Sequence, residues 1–108
     1  MTSTAKIDES GTEIVHAVPL DLFLERESIR ERITFLKMDI EGAEVQALQG
    51  AARTVRETKP TLAVCVYHRL SDLWRIPLYL HELVPQYKLY LRHYTDMPTE
   101  TVCYAIIK

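Results

Sequence analysis

Two spacings alternate along this chain. Residues 1 to 12 are polar, carry Gly11 and show no period, so they read as a flexible N-terminal segment. Glu13 to Val18 (EIVHAV) reads as a short strand ended by Pro19. Leu20 to Arg32 sets Leu20, Phe23, Leu24 and Ile29 at mostly helical spacing among charges, which predicts an amphipathic helix. Ile33 to Ile40 is apolar and interrupted by Lys37 and Asp39, the pattern of a strand. Val45, Leu48, Ala52 and Val55 then recur at intervals of three and four, predicting one helix of about four turns stopped by Lys59-Pro60.

Thr61 to Tyr67 (TLAVCVY) is apolar without alternation, as in a parallel strand covered on both faces. Ser71 and Asp72 are N-cap residue types, and Pro77 suits the first turn of a short helix carrying Leu78, Leu80, Leu83 and Val84, with Pro85 beyond it. Lys88 to Tyr94 (KLYLRHY) and Thr101 to Ile107 (TVCYAII), joined by the turn-rich TDMPTE, predict an antiparallel hairpin. Helices alternating with strands imply a mostly parallel sheet with right-handed crossovers, so the fold class is α/β.

Composition narrows the function classes. The chain has 108 residues, enough for one domain or part of one, and its 47% hydrophobic and 26% charged content is that of an ordinary globular protein. A formal charge of −2 without a Lys/Arg cluster gives no electrostatic footprint for nucleic acid. No apolar run approaches the roughly 20 residues of a membrane span, and the N-terminus lacks a secretion signal's apolar core. Cys65 and Cys103 each sit in an apolar run, which points to buried free thiols and a cytoplasmic location.

Ligands of open α/β sheets gather beyond the carboxyl ends of the strands. That rule selects Asp39 and Glu41 after one strand and Tyr67 and His68 after the next. If those strands are parallel neighbours, about 5 Å separates their backbones and Asp39 and His68 share a crevice. Arg92, His93 and Tyr94 end the first hairpin strand, at the same edge if it runs parallel. Each has a structural alternative. Asp39 and Glu41 could cap the following helix, Gly42 could be only a turn glycine, and His68 could be a surface loop residue. His93 fits an alternating strand, and Trp74 suits core or interface better than substrate stacking. His16 and His81 have no partner at ligand spacing, so no metal site is predicted.

The stretch FLKMDIEGAEVQALQGA, followed by Pro60, LAVCVYH, LSDLW, YKLYLRHYT and ETVCYAI, resembles the FkbM family of S-adenosylmethionine-dependent methyltransferases. Its signature, K-x-D-x-E-G-x-E, falls on Lys37, Asp39, Glu41, Gly42 and Glu44. VPLDLFL resembles the T-L-D-x-x-L segment that precedes it, with Pro19 where the family often has Thr. The resemblance spans residues 13 to 108.

The family implies a Rossmann-like class I methyltransferase sheet with a reversed last hairpin, of which this chain would be the C-terminal half. It also implies O-methylation of a hydroxyl on a sugar or natural product, with S-adenosylmethionine as cofactor. Asp39 and His68 become the catalytic candidates, and Glu41, Tyr67, His93 and Tyr94 the acceptor-binding ones. Asp39 and Gly42 would touch the cofactor.

The family's glycine-rich turn has no counterpart among Gly11, Gly42 and Gly50, so residues 13 to 108 read as a partial domain lacking the cofactor-binding half. Helices should then cover one sheet face, leaving the run Leu62 to Val66 exposed on the other as an association surface. The expected partners are a small-molecule or glycan hydroxyl, and a second copy or the missing half; nucleic acid and membrane are not expected. The competing reading is a non-catalytic remnant or interaction module that uses the exposed face.

Overall fold

The computed structural model describes residues 9–14, 16–94 and 101–108. Its framework is a four-stranded sheet of β1 (Phe35–Met38), β2 (Thr61–Cys65), β3 (Lys88–His93) and β4 (Thr101–Ile106), in the spatial order β1-β2-β4-β3. β1 and β2 are parallel, whereas β4 pairs antiparallel with both β2 and β3. β3 therefore runs in the same direction as β1 and β2, and all three end at one sheet edge. This is a mixed α/β fold, with the reversed hairpin expected from KLYLRHY and TVCYAII. The TDMPTE connection and most of the N-terminal segment lie outside the described residues.

Strand side chains alternate between two environments, as the pleat requires. Met38, Leu62, Val64, Cys103 and Ala105 point to one face. There they pack with Leu48, Ala51, Val55, Ile76 and Leu80 from the helices, and these buried residues form one core. The helices are α1 (Leu20–Glu27), α2 (Glu44–Gly50), α3 (Ala52–Thr58) and α4 (Asp72–Leu83). Tyr87, just after α4, donates its buried hydroxyl proton to the Pro60 carbonyl at 2.5 Å, tying the chain before β3 to the chain before β2.

Five sequence expectations are corrected. Residues 13, 14 and 16–18 form no strand; Ile14 is 93% exposed, so the short apolar run has nothing to bury against. The segment 20–32 is α1 followed by a separate 3-10 turn, Arg30–Arg32, after Ser28 adopts a left-handed conformation. The expected four-turn helix is two helices broken at Ala51, where the backbone leaves helical geometry.

The break has a physical cause. Asp21 of α1 accepts from the Arg53 and Thr54 N–H groups at 2.9 and 2.8 Å, supplying the N-terminal cap that starts α3 as a new helix. The helix before the hairpin begins at Asp72, not near Pro77, which lies inside it. Burial of Ile76 and Leu80 stabilises the helix through the one N–H that proline removes.

The run Leu62 to Val66 is also not exposed. All five residues are buried. On the face without helices, Ala63 and Cys65 are small, and Lys37, Tyr104 and Val102 on the paired strands stand over them. Apolar exposure sits elsewhere, beside β1, where Phe23, Leu36, Ile40 and Ala47 help to line an apolar groove of about 640 Å³.

Candidate functional site

The sheet face without helices carries a cleft of about 340 Å³. Lys37 and Asp39 contribute from β1 and its end, Ala63, Cys65 and Tyr67 from β2 and its end, and Tyr94, Val102 and Tyr104 from the hairpin. Its mouth lies where β1, β2 and β3 all end, the position at which open α/β sheets bind ligands.

Asp39 is the cleft's carboxylate, with its side chain 47% exposed, and Lys37 is a basic group in the same lining. The Tyr67 hydroxyl donates to Asp39 Oδ1 at 3.0 Å. Burial, followed by that hydrogen bond and the carboxylate charge, pushes the Tyr67 phenol up to about 12, so it stays a donor at physiological pH. Burial and then the Asp39 charge push the Cys65 thiol up to about 11, which keeps it an un-ionised wall residue. Across the cleft the Tyr94 and Tyr104 hydroxyls are 2.5 Å apart, and that hydrogen bond, with burial behind it, raises Tyr104.

His68 follows Tyr67, and their rings lie 4.0 Å apart. Its side chain is 9% exposed, with Nε2 3.5 Å from Asp39 Oδ1 and 3.4 Å from Glu41 Oε1. Its Nδ1 lies 3.2 Å from Oε2 of the fully buried Glu44. These are ion-pair distances without hydrogen-bond orientation, and both ring nitrogens are buried with no hydrogen-bond partner.

Glu44 shapes the loop that presents this group. It accepts from the Ile40 N–H at 2.7 Å and from the Gly42 N–H at 3.0 Å. The loop is tight: Glu41 sits at φ +56° and Gly42 at φ +99°. A side chain at Gly42 would meet Arg69 Nε at 3.4 Å, and that same nitrogen donates to the Gly42 carbonyl at 3.1 Å. Behind the loop, Asp72 is buried with neither carboxylate oxygen hydrogen-bonded. Burial and then the charge of Glu44 raise its pKa.

The sequence-predicted residues therefore fall into groups. Asp39, Glu41, Tyr67 and His68 come together, and Tyr94 faces the same cleft from the hairpin. His93 alternates to the helix-covered side, where its Nδ1 is 2.8 Å from Thr101 Oγ1. Gly42 stands outside the cleft wall, in the loop held by Glu44 and Arg69. Trp74 is 54% exposed on α4. Sequence reasoning named Lys37 and Glu44 in the signature without giving either a role at the site, and did not single out Tyr104. For Glu44 the available signal was an acidic residue opening a helix inside an already acidic D-x-E-G-x-E run.

The methyltransferase FkbM domain model matches residues 1–96. The chain belongs to the FkbM methyltransferase family. A crystal structure of methyltransferase FkbM from Methylobacillus flagellatus KT is similar to it at 45% identity and a TM-score of 0.64, over 68% of this chain and 20% of that one. This FkbM-family chain thus spans about one fifth of the length of that structure. No curated protein matches it. Family membership implies S-adenosylmethionine use in general. Among the described residues, no helix is long and apolar enough to cross a membrane.

Proposed function

We propose that the cleft is the acceptor side of a methyl-transfer site, where a hydroxyl on a sugar or natural product is oriented and loses its proton. The observation carrying this reading is the half-exposed Asp39 carboxylate at the carboxyl ends of parallel strands, gripped by Tyr67 and flanked by His68 Nε2 at 3.5 Å. A methyl acceptor hydroxyl must be held in line and relieved of its proton, and a positioned carboxylate or imidazole does both. Tyr67 fixes the Asp39 rotamer, and Tyr94 and Tyr104 offer aromatic walls to a ring-shaped acceptor.

The cofactor fits this chain only at its edge. A Cβ at Gly42 would rest in ordinary contact with Arg69 and His68, and one at Gly50 would press on Pro19 at 3.2 Å, so neither glycine opens onto a free cradle for a nucleoside. S-adenosylmethionine supplies the electrophilic methyl group. In this reading it is held mainly by residues other than those described here, in a longer polypeptide or a partner, and the apolar groove beside β1 is where such residues would adjoin. Burial of both free thiols supports a reducing, cytoplasmic setting.

The test incubates the chain, joined to the longer polypeptide or partner that completes the cofactor site, with methyl-labelled S-adenosylmethionine and a panel of hydroxylated sugars and natural products. Label is expected on a hydroxyl oxygen, with Asp39→Asn lowering the rate by about two to four orders of magnitude. Calorimetry that detects no binding at millimolar S-adenosylmethionine would remove the activity from this chain acting alone, and leave the non-catalytic interaction module.

A further inference from the structure

The loop after β1 and the end of β2 converge three carboxylates on one histidine. Asp39, Glu41 and Glu44 all bring carboxylate oxygens within 3.5 Å of one imidazole. Asp72 lies behind them; Arg69, whose Nε donates to the Gly42 carbonyl, and Arg75 act on it, and Lys37 lines the same cleft as Asp39. An imidazolium alone would be expected to form short, oriented hydrogen bonds of about 2.7–2.9 Å to such carboxylates. His68 forms none, although its side chain is more than nine-tenths buried and its Nε2 is aimed between Asp39 and Glu41.

We infer that Asp39 Oδ1, Glu41 Oε1 and His68 Nε2 form a binding site for a divalent first-row cation of the Mn²⁺ or Zn²⁺ type. One ligand atom from each of the three residues lies within 4.8 Å of the other two. Donors about 2.1 Å from a tetrahedral ion are separated by about 3.4 Å along each edge. His68 Nε2 already stands 3.5 and 3.4 Å from its two carboxylate neighbours. Two carboxylates and one imidazole suit ions of hard to borderline character.

The surroundings supply the outer support that metal-binding imidazoles need. Buried Glu44 lies beside His68 Nδ1, the ring nitrogen left over when Nε2 binds a metal, and Tyr67 donates to the liganding oxygen of Asp39. Three protein donors leave at least one coordination position for water or an alcohol. With Asp39 47% and Glu41 31% exposed, that position opens to the solvent at the cleft mouth. A cation there would lower the pKa of a bound hydroxyl and ease its loss of a proton. That chemical role rests on the proposed methyl transfer; the site itself does not, because it is tested with metal alone.

The experiment titrates the chelator-stripped chain with MnCl₂ in the absence of S-adenosylmethionine, following free Mn²⁺ by electron paramagnetic resonance and heat by calorimetry. Saturable uptake of one ion is expected, weakened at least tenfold by His68→Gln or Asp39→Asn and unchanged by Glu57→Gln, a carboxylate on α3. Because a site variant could fail to fold, the second measurement uses the unaltered chain. On adding Zn²⁺, the nitrogen resonances of His68 should shift to those of a metal-bound imidazole. No saturable uptake at millimolar Mn²⁺, uptake that His68→Gln leaves unchanged in a folded variant, or His68 resonances indifferent to Zn²⁺ would each overturn the site.

Discussion

The Tyr67 hydroxyl and the Asp39 carboxylate, from the ends of neighbouring parallel strands, meet at 3.0 Å. The bond crosses the cleft mouth and makes the position of one side chain depend on the other. Removing the phenol oxygen frees the carboxylate without emptying the core. Tyr67→Phe should therefore lower kcat/KM for methyl transfer by about tenfold, the order of a hydrogen bond to a charged group, with little change in melting temperature. A variant that loses stability and activity together would instead make the bond structural.

The Asp21 cap links α1 to α3. Burial by itself would raise the Asp21 carboxyl, but hydrogen bonds from the Thr54 hydroxyl and from the Thr54 and Arg53 N–H groups outweigh it and hold the group below its usual 3.8. A carboxyl depressed in the folded state adds stability above its unfolded value, and that stability is lost as pH falls through the folded value. Asp21→Ala should cost about 1–2 kcal/mol at pH 7, as lost caps do. Denaturant titrations should show the gap between parent and variant shrinking as pH drops below 3.8.

Asp72 has the opposite sign. Burial first, and the nearby Glu44 charge second, raise its folded pKa above 3.8. The folded chain therefore binds the proton more tightly than the unfolded one, and stability from this group falls as pH rises through its folded pKa. Asp72→Asn removes the buried charge and should raise the melting temperature at pH 7. The advantage should vanish at pH values below 3.8, where the parent carboxyl is protonated in both states.

Tyr87 and Pro60 meet in the interior, where the Tyr87 hydroxyl donates to the Pro60 carbonyl. Tyr87→Phe keeps the ring and strands that acceptor, a cost of about 1–3 kcal/mol. For a chain of this size thermal unfolding should shift down by roughly 4–8 °C per kcal/mol.

Much of this was legible because local pattern and final burial agree. Val45, Leu48 and Val55 have helical spacing and pack on the sheet, and KLYLRHY and TVCYAII pair in the expected hairpin. The errors arose where distant residues decide local structure. Nothing near Ala51 in the sequence says that Asp21 will cap a second helix there. Pro77 argues locally for a helix start, yet burial of Ile76 and Leu80 carries the helix through it. The convergence of Asp39 and His68 was legible from neighbouring parallel strand ends, whereas no spacing along the chain marks them and Glu41 as one ligand group. That group exists only because a parallel crossover returns β2 to the side of β1.

The two-residue period of the central strand has a consequence for adaptability. Leu62, Val64 and Val66 answer to the core, while the alternate positions Ala63, Cys65 and Tyr67 answer to the cleft. Stability and recognition are thus written on interleaved letters of one short segment. The shape of the cleft can change through every second residue, leaving the helical layer to hold the sheet as before.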